Sequence, residues 1–177
     1  GIDIHRADEE QRKATKKRFA MVFQNSALLD SFTVLQNVAL PLYERGEKNT
    51  DFIRDKVLHC LQIVGLEDTA SLYPAQLSGG MRKRISIARA LVYDPDYIIF
   101  DEPVSGLDPI TSREIMFYIT RIVETASATL ITITHELKNI DAVGNQILFL
   151  NEGKVIFNGS VKELYNSTDS FVQQYLK

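Results

Sequence analysis

Residues 77–108 read LSGGMRKRISIARALVYDPDYIIFDEPVSGLD, and their physics changes twice along the way. Ser78, Gly79 and Gly80 make a turn that opens a helix. Ile85, Ala88 and the pair Leu91 and Val92 then recur at helical spacing and mark one buried face. Asp94, Pro95 and Asp96 break the chain, and Tyr97, Ile98, Ile99 and Phe100 follow as a short, wholly apolar run. Such a run suits a parallel strand covered on both faces. It ends at Asp101 and Glu102, two acids placed where a buried strand meets the surface. Ligands of open α/β sheets bind outside the carboxyl ends of the strands. Chemistry is therefore expected at this acid pair.

Towards the N-terminus, residues 18–23 are rich in Phe, Met and Val and read as a buried strand that runs into Gln24. Residues 8–17 are strongly charged and read as a short exposed helix. Lys13, Lys16, Lys17 and Arg18 suit a solvated face, with phosphate or lipid contact as the alternative. Thr33 can cap a helix that places Val34, Val38 and Leu42 on one side, with Pro41 near its end. Thr50 or Asp51 can cap a second helix, whose stripe of Ile53, Val57, Cys60, Leu61 and Val64 stops at Gly65. His59 and Cys60 have no clustered partners for metal work and read as packing or surface residues.

Towards the C-terminus, Pro109 opens a helix over 109–125, with Ile115, Ile119, Ile122 and Val123 on its apolar side. Residues 129–134 read as the next buried strand, leading to His135, and 136–143 as a short helix. Segments 146–150 and 155–158 pair across a turn at 151–154. Ser160, and Ser167 or Thr168, can begin two last helices.

The bulk numbers narrow the function class. A chain of 177 residues fits one domain, and 45% hydrophobic with 24% charged residues is a globular composition. A net charge of −3 gives no general attraction to nucleic acid or to anionic lipid. The apolar runs are too short to span a bilayer, so any membrane role must come through a partner. The single cysteine excludes an internal disulfide framework.

LSGGM at 77–81 resembles the signature motif of ABC-type ATPases, with Met81 where Gln is usual. Residues 97–101 resemble the Walker B strand, Glu102 the catalytic glutamate, and Ser105, Gly106, Leu107 and Asp108 the D-loop. Gln24 matches the Q-loop and His135 the switch histidine. The wording FQNSALLDSFTVLQNVALPL is also similar to the Mla/Mce-type lipid-transport ATPases. The resemblance implies an α/β, P-loop NTPase-type ABC ATPase fold. It implies one domain over 1–177, with a helical subdomain at about 25–92 inserted in a RecA-like core.

It also implies ATP and Mg²⁺ as cofactors, with Asp101 and Gln24 at the metal and Glu102, His135 and Gln24 catalytic. Leu77, Ser78, Gly79, Gly80 and Met81 would close over ATP held by a second ATPase subunit, in a head-to-tail dimer. Glycines there let backbone N–H groups approach an anion at a helix N-terminus. The further partners implied are a membrane permease, docked through the region around 25–45, and an MCE-type substrate-binding protein, with no nucleic acid. The expected place is peripheral, on the cytoplasmic face of the inner membrane.

The pattern G-x-x-x-x-G-K-[ST] is absent, and Gly153 and Lys154 are followed by Val155 with no glycine-rich loop before them. Residues 1–4 resemble the segment after the Walker A helix, so the expectation is a domain truncated at its N-terminus. Two rival readings stand beside an active lipid-transport ATPase. One is a non-catalytic subunit that offers only its signature half-site; the other is an ABC ATPase serving another substrate. A relative from translation or DNA repair fits less well, because the helical region is short and lacks coiled-coil heptads.

Overall fold

Ser78 lies in extended backbone and its hydroxyl accepts a hydrogen bond from the Met81 N–H at 3.2 Å, which caps helix α4 (Gly79–Leu91) in this computed structural model. A cap of this kind contributes about 1 kcal/mol. The structure describes residues 3–125, 128–135 and 144–176. They belong to two compact units, 1–133 and 134–177.

The first unit is built around α4. It packs against α2 (Val34–Glu44), α3 (Thr50–Ile63), strand β1 (Phe19–Val22) and α5 (Pro109–Thr125). Ile85, Ile87, Ala88 and Ala90 are all buried, and so are Lys83 and Ser86. Burial therefore covers more of the helix than the single stripe read from Ile85, Ala88 and Val92, as befits an element enclosed from several directions.

Strands β1, β2 (Tyr97–Asp101) and β3 (Thr129–Ile133) form a parallel sheet in that order, so β2 is central. Val22 pairs with Phe100, and Phe100 with Thr132. Ala20, Val22, Ile98 and Phe100 are buried on one face. On the other face Met21, Ile131 and Ile133 are 39%, 42% and 51% exposed. The expected cover on both faces is thus corrected: burial alternates along β2, and β3 has no buried residue. Parallel sheets are ordinarily covered on both faces; within these residues the second face carries apolar Met21, Ile131 and Ile133 in the open.

Local chemistry explains the helix ends. Thr33 caps α2 in a capping box, its N–H donating to Gln36 Oε1 at 2.8 Å and its hydroxyl accepting from Gln36 N–H at 3.3 Å. Asn49, rather than Thr50 or Asp51, caps α3; its Oδ1 accepts from the N–H groups of Asp51 and Phe52, both at 3.1 Å. The turn after α3 needs Gly65, which has φ +64°. A Cβ there would also sit 2.7 Å from the Tyr118 hydroxyl. Helix α1 (Glu9–Lys16) buries no residue, as a solvated face requires. Cys60 lies inside α3, and burial pushes its thiol up to about 11, which makes it inert at neutral pH. On α5, Ile115, Ile119 and Ile122 are buried, but Val123 is 41% exposed and leaves the expected apolar side.

The second unit is a hairpin with two short helices. Strands β4 (Ile147–Asn151) and β5 (Lys154–Gly159) are antiparallel. The turn is only Glu152 and Gly153, at φ +47° and +75°. Two left-handed residues match the twist of a tight hairpin, so the expected turn of four shortens to two. Ser160 caps α6 (Val161–Tyr165), while Asp169, not Ser167 or Thr168, caps α7 (Ser170–Tyr175). Ile147, Leu164 and Val172 are the buried centre of this unit. The helix expected over 136–143 lies outside the described residues. No helix among the described residues is long and apolar enough to cross a membrane.

Candidate functional site

The carboxyl end of β2 carries the acid pair. Asp101 is still in the ladder, opposite Ile133. Glu102 leaves it at φ +46°, its N–H donating to the Ile133 carbonyl at 2.9 Å. A left-handed glutamate costs about 1–3 kcal/mol and persists only where neighbours hold it. Here the bond to β3 holds one side and Pro103 follows on the other.

The chain then turns at Gly106, φ +73°, and Asp108 caps α5. Its Oδ1 accepts from the N–H groups of Ile110 and Thr111, each at 3.0 Å, and its Oδ2 from the Thr111 hydroxyl. The Thr111 side chain, then the backbone N–H groups, hold this carboxyl below its ordinary pKa. A depressed carboxylate adds stability above the ordinary value and loses it as pH falls through the folded value. Asp108→Ala should therefore flatten the acid limb of the melting-temperature profile; a limb as steep as that of the parent would contradict this.

Gln24 stands two residues past β1, beside β2, and its amide nitrogen donates to Ser105 Oγ at 3.3 Å. A cleft of about 390 Å³ opens here, between residues 24–26, Gly79, Arg82 and Lys83 of α4, and 105–107. Asp101 and Glu102 are not among its walls. The two glycines of α4 differ in their surroundings. A Cβ at Gly79 would meet no heavy atom within 4 Å, whereas one at Gly80 would lie 2.8 Å from Thr111 Cγ2. Gly79 thus leaves backbone accessible, and Gly80 permits close packing on α5. Leu77 is buried and its carbonyl accepts from the Arg82 guanidinium at 2.7 Å, while Met81 is half-buried. His135 lies two residues past β3, in the second unit.

Sequence reasoning missed four side chains that build this region. Lys83 Nζ donates to the carbonyls of Phe23 and Gln24 at 3.0 and 3.1 Å. Burial pushes its pKa down, and the charge of Asp101 opposes that. Arg89 donates to the carbonyls of Ala27 and Ser26 at 2.6 and 2.8 Å. Asn37, fully buried, ties residues 29–33 together. Arg84 donates to the Val64 carbonyl and the Tyr118 hydroxyl and pairs with Glu114, joining α3, α4 and α5. No group of three or more His, Cys, Asp or Glu that could hold a metal occurs among the described residues. Asp101 and the Gln24 amide oxygen are the oxygen donors that stand at the ends of neighbouring strands. That donor set suits Mg²⁺, which takes one or two protein carboxylates beside substrate phosphates.

Comparison with known proteins places these features in context. A family model described as "ABC transporter" matches residues 1–105. The intermembrane phospholipid transport system ATP-binding protein of Haemophilus influenzae is 37% identical over 100% of this chain and 67% of its own length. Methionine import ATP-binding proteins are similar too. That of Lactobacillus johnsonii is 40% identical over 89% of this chain and 45% of its own, and that of Haemophilus ducreyi 36% over 100% and 52%. The chain therefore spans from about half to two thirds of these relatives. A solved ATP-binding cassette, a dimer in a post-hydrolysis state bound to ADP and Pi, aligns with a TM-score of 0.75 at 33% identity, covering 90% of this chain and 70% of that one.

Proposed function

Because this chain belongs to the ABC transporter family and has the α/β, P-loop NTPase fold of its ATP-binding cassettes, we propose that it serves as the ATP-hydrolysing part of a transporter that moves phospholipid. The observation that carries the reading is the grouping at the sheet's carboxyl edge. Gln24, Asp101 and Glu102 end adjacent parallel strands, and Gln24 reaches Ser105 in the next turn.

ATP with Mg²⁺ supplies the phosphoryl group that water attacks. Asp101 would hold the cation, and the Gln24 oxygen would complete its shell. Glu102, one residue past Asp101, would take the proton of the attacking water. His135 would contact the γ-phosphate. The open backbone at Ser78 and Gly79 would meet the phosphates of ATP held by a second subunit, at the positive end of α4. The solved neighbour is a dimer, which supports this arrangement. Residues 25–92 would form the helical subdomain that faces the membrane partner.

The 37% identity to the phospholipid system's ATP-binding protein supports a lipid substrate. The methionine import relatives, at comparable identity, keep a second reading open: an importer of a small polar solute. A chimera joining this chain to the Walker A portion of a relative tests the proposal. It should release phosphate from ATP with magnesium, and Asp101→Ala should abolish release. The 177-residue polypeptide alone should release none, since its sequence has no glycine-rich phosphate loop or its lysine. Glu102-dependent release by the polypeptide alone would refute this account of the site. Rescue of cells lacking either the phospholipid or the methionine system separates the two substrates.

A further inference from the structure

Two side chains of α4 clasp the backbone that follows β1. Lys83 bonds the carbonyls of Phe23 and Gln24 at 3.0 and 3.1 Å, and Arg89 bonds those of Ser26 and Ala27 at 2.8 and 2.6 Å. The Phe23 carbonyl also accepts the Ser26 N–H at 3.2 Å, so the turn and the lysine share one acceptor. Ser26 and Ala27 lie at φ +55° and +47°, a left-handed pair without glycine, which needs external hold. Lys83 is only 3% exposed. An ammonium group at that depth is strongly disfavoured unless its protons are bonded. Mere packing between α4 and β1 would be served better by an apolar side chain of the same length. What the cation adds is direction.

The two carbonyls belong to the peptides on either side of the Gln24 Cα. We propose that Lys83 is a positioning residue for Gln24, anchoring both peptide units that flank it and so aiming its side chain at Ser105. Because Lys83 is on the helix that begins at Ser78, it also ties the 77–81 turn to Gln24. Displacement of either is transmitted through one side chain. The anchoring stands on geometry alone; its consequence for hydrolysis rests on the function proposed above.

Hydrogen exchange on the 177-residue polypeptide tests the anchoring. Lys83→Met keeps the length of the stem and removes the donors. Exchange at the amides of Ser26 and Ala27, which bond the carbonyls of Phe23 and Asn25, should quicken about tenfold or more, as loss of charge-assisted bonds implies. Amides of β1 and α4 should keep their protection. Unchanged exchange at Ser26 and Ala27, or an equal rise throughout the unit, overturns the proposal. Lys83→Gln retains N–H donors on a side chain one atom shorter and should give a smaller rise confined to the same residues. It decides the matter should Lys83→Met not fold. In the chimera, Lys83→Met should lower kcat about tenfold with KM for ATP within about twofold, the split expected when an interaction acts only in the transition state. Parental kcat overturns the positioning of Gln24. A parent chimera that releases no phosphate counts against the ATPase reading, and the exchange result then decides the anchoring by itself.

Discussion

Glu102→Gln, in a chimera that carries a Walker A loop, is expected to cut phosphate release by about 10²–10⁴-fold while leaving ATP binding intact, the usual range for loss of a general base. The substitution keeps the shape of the side chain and its capacity to hydrogen-bond, so the loss falls on the chemical step. Without hydrolysis, ATP should hold two subunits closed. Ser78→Arg is expected to stop turnover by another route. It puts a long side chain beside the open backbone of Gly79, where no heavy atom would crowd even a Cβ. It also removes the cap on Met81, so Ser78→Ala, which loses the cap alone, is the control. Size measurement with ATP should find Glu102→Gln dimeric and Ser78→Arg monomeric. Identical behaviour of the two, or normal hydrolysis by Ser78→Arg, would refute a contact across subunits.

The contrast between these two positions reflects how the site is encoded. Asp101 and Glu102 were legible because an apolar run must stop somewhere, and charge marks the stopping point. The helix start at Ser78 was legible for a similar local reason, since a hydroxyl followed by two glycines favours a cap over a helix interior. Local signals say nothing of what lies opposite. The open face of β3 could not be read from 129–133, because burial there depends on packing from other parts of the chain. Lys83 and Arg89 carry no local mark that singles them out among the basic residues of 82–89. Their partners are carbonyls about sixty residues earlier, and a carbonyl carries no sequence signature. One sign was available for Lys83: it precedes Ile87 by one helical turn, and so shares its buried side. The left-handed backbone of Glu102 had no sign at all, since glycine, the usual marker, is absent there.

Asn37 makes the same point with a larger effect on stability. It sits between Val34 and Val38 on the buried side of α2, where a polar residue looks like an error of pattern. Its Oδ1 accepts from the Leu29 N–H at 2.8 Å. Its amide nitrogen shares two protons among the carbonyls of Leu29, Phe32 and Thr33, at 3.0, 3.1 and 3.0 Å. The side chain thus replaces the hydrogen bonds of a loop that has no strand or helix of its own. Asn37→Ala should cost about 2–4 kcal/mol, since each buried group left unpaired costs about 1–3 kcal/mol and some will find water. For a chain of this size that lowers the melting temperature by roughly 4–16 °C. Asn37→Asp should be at least as damaging, because a carboxylate can still accept from Leu29 N–H but then faces three carbonyl oxygens with no proton to offer. Calorimetry on the parent and both variants checks this. An aspartate variant as stable as the parent would mean that the donor side of Asn37 contributes nothing, and that residues 29–33 are held by packing alone.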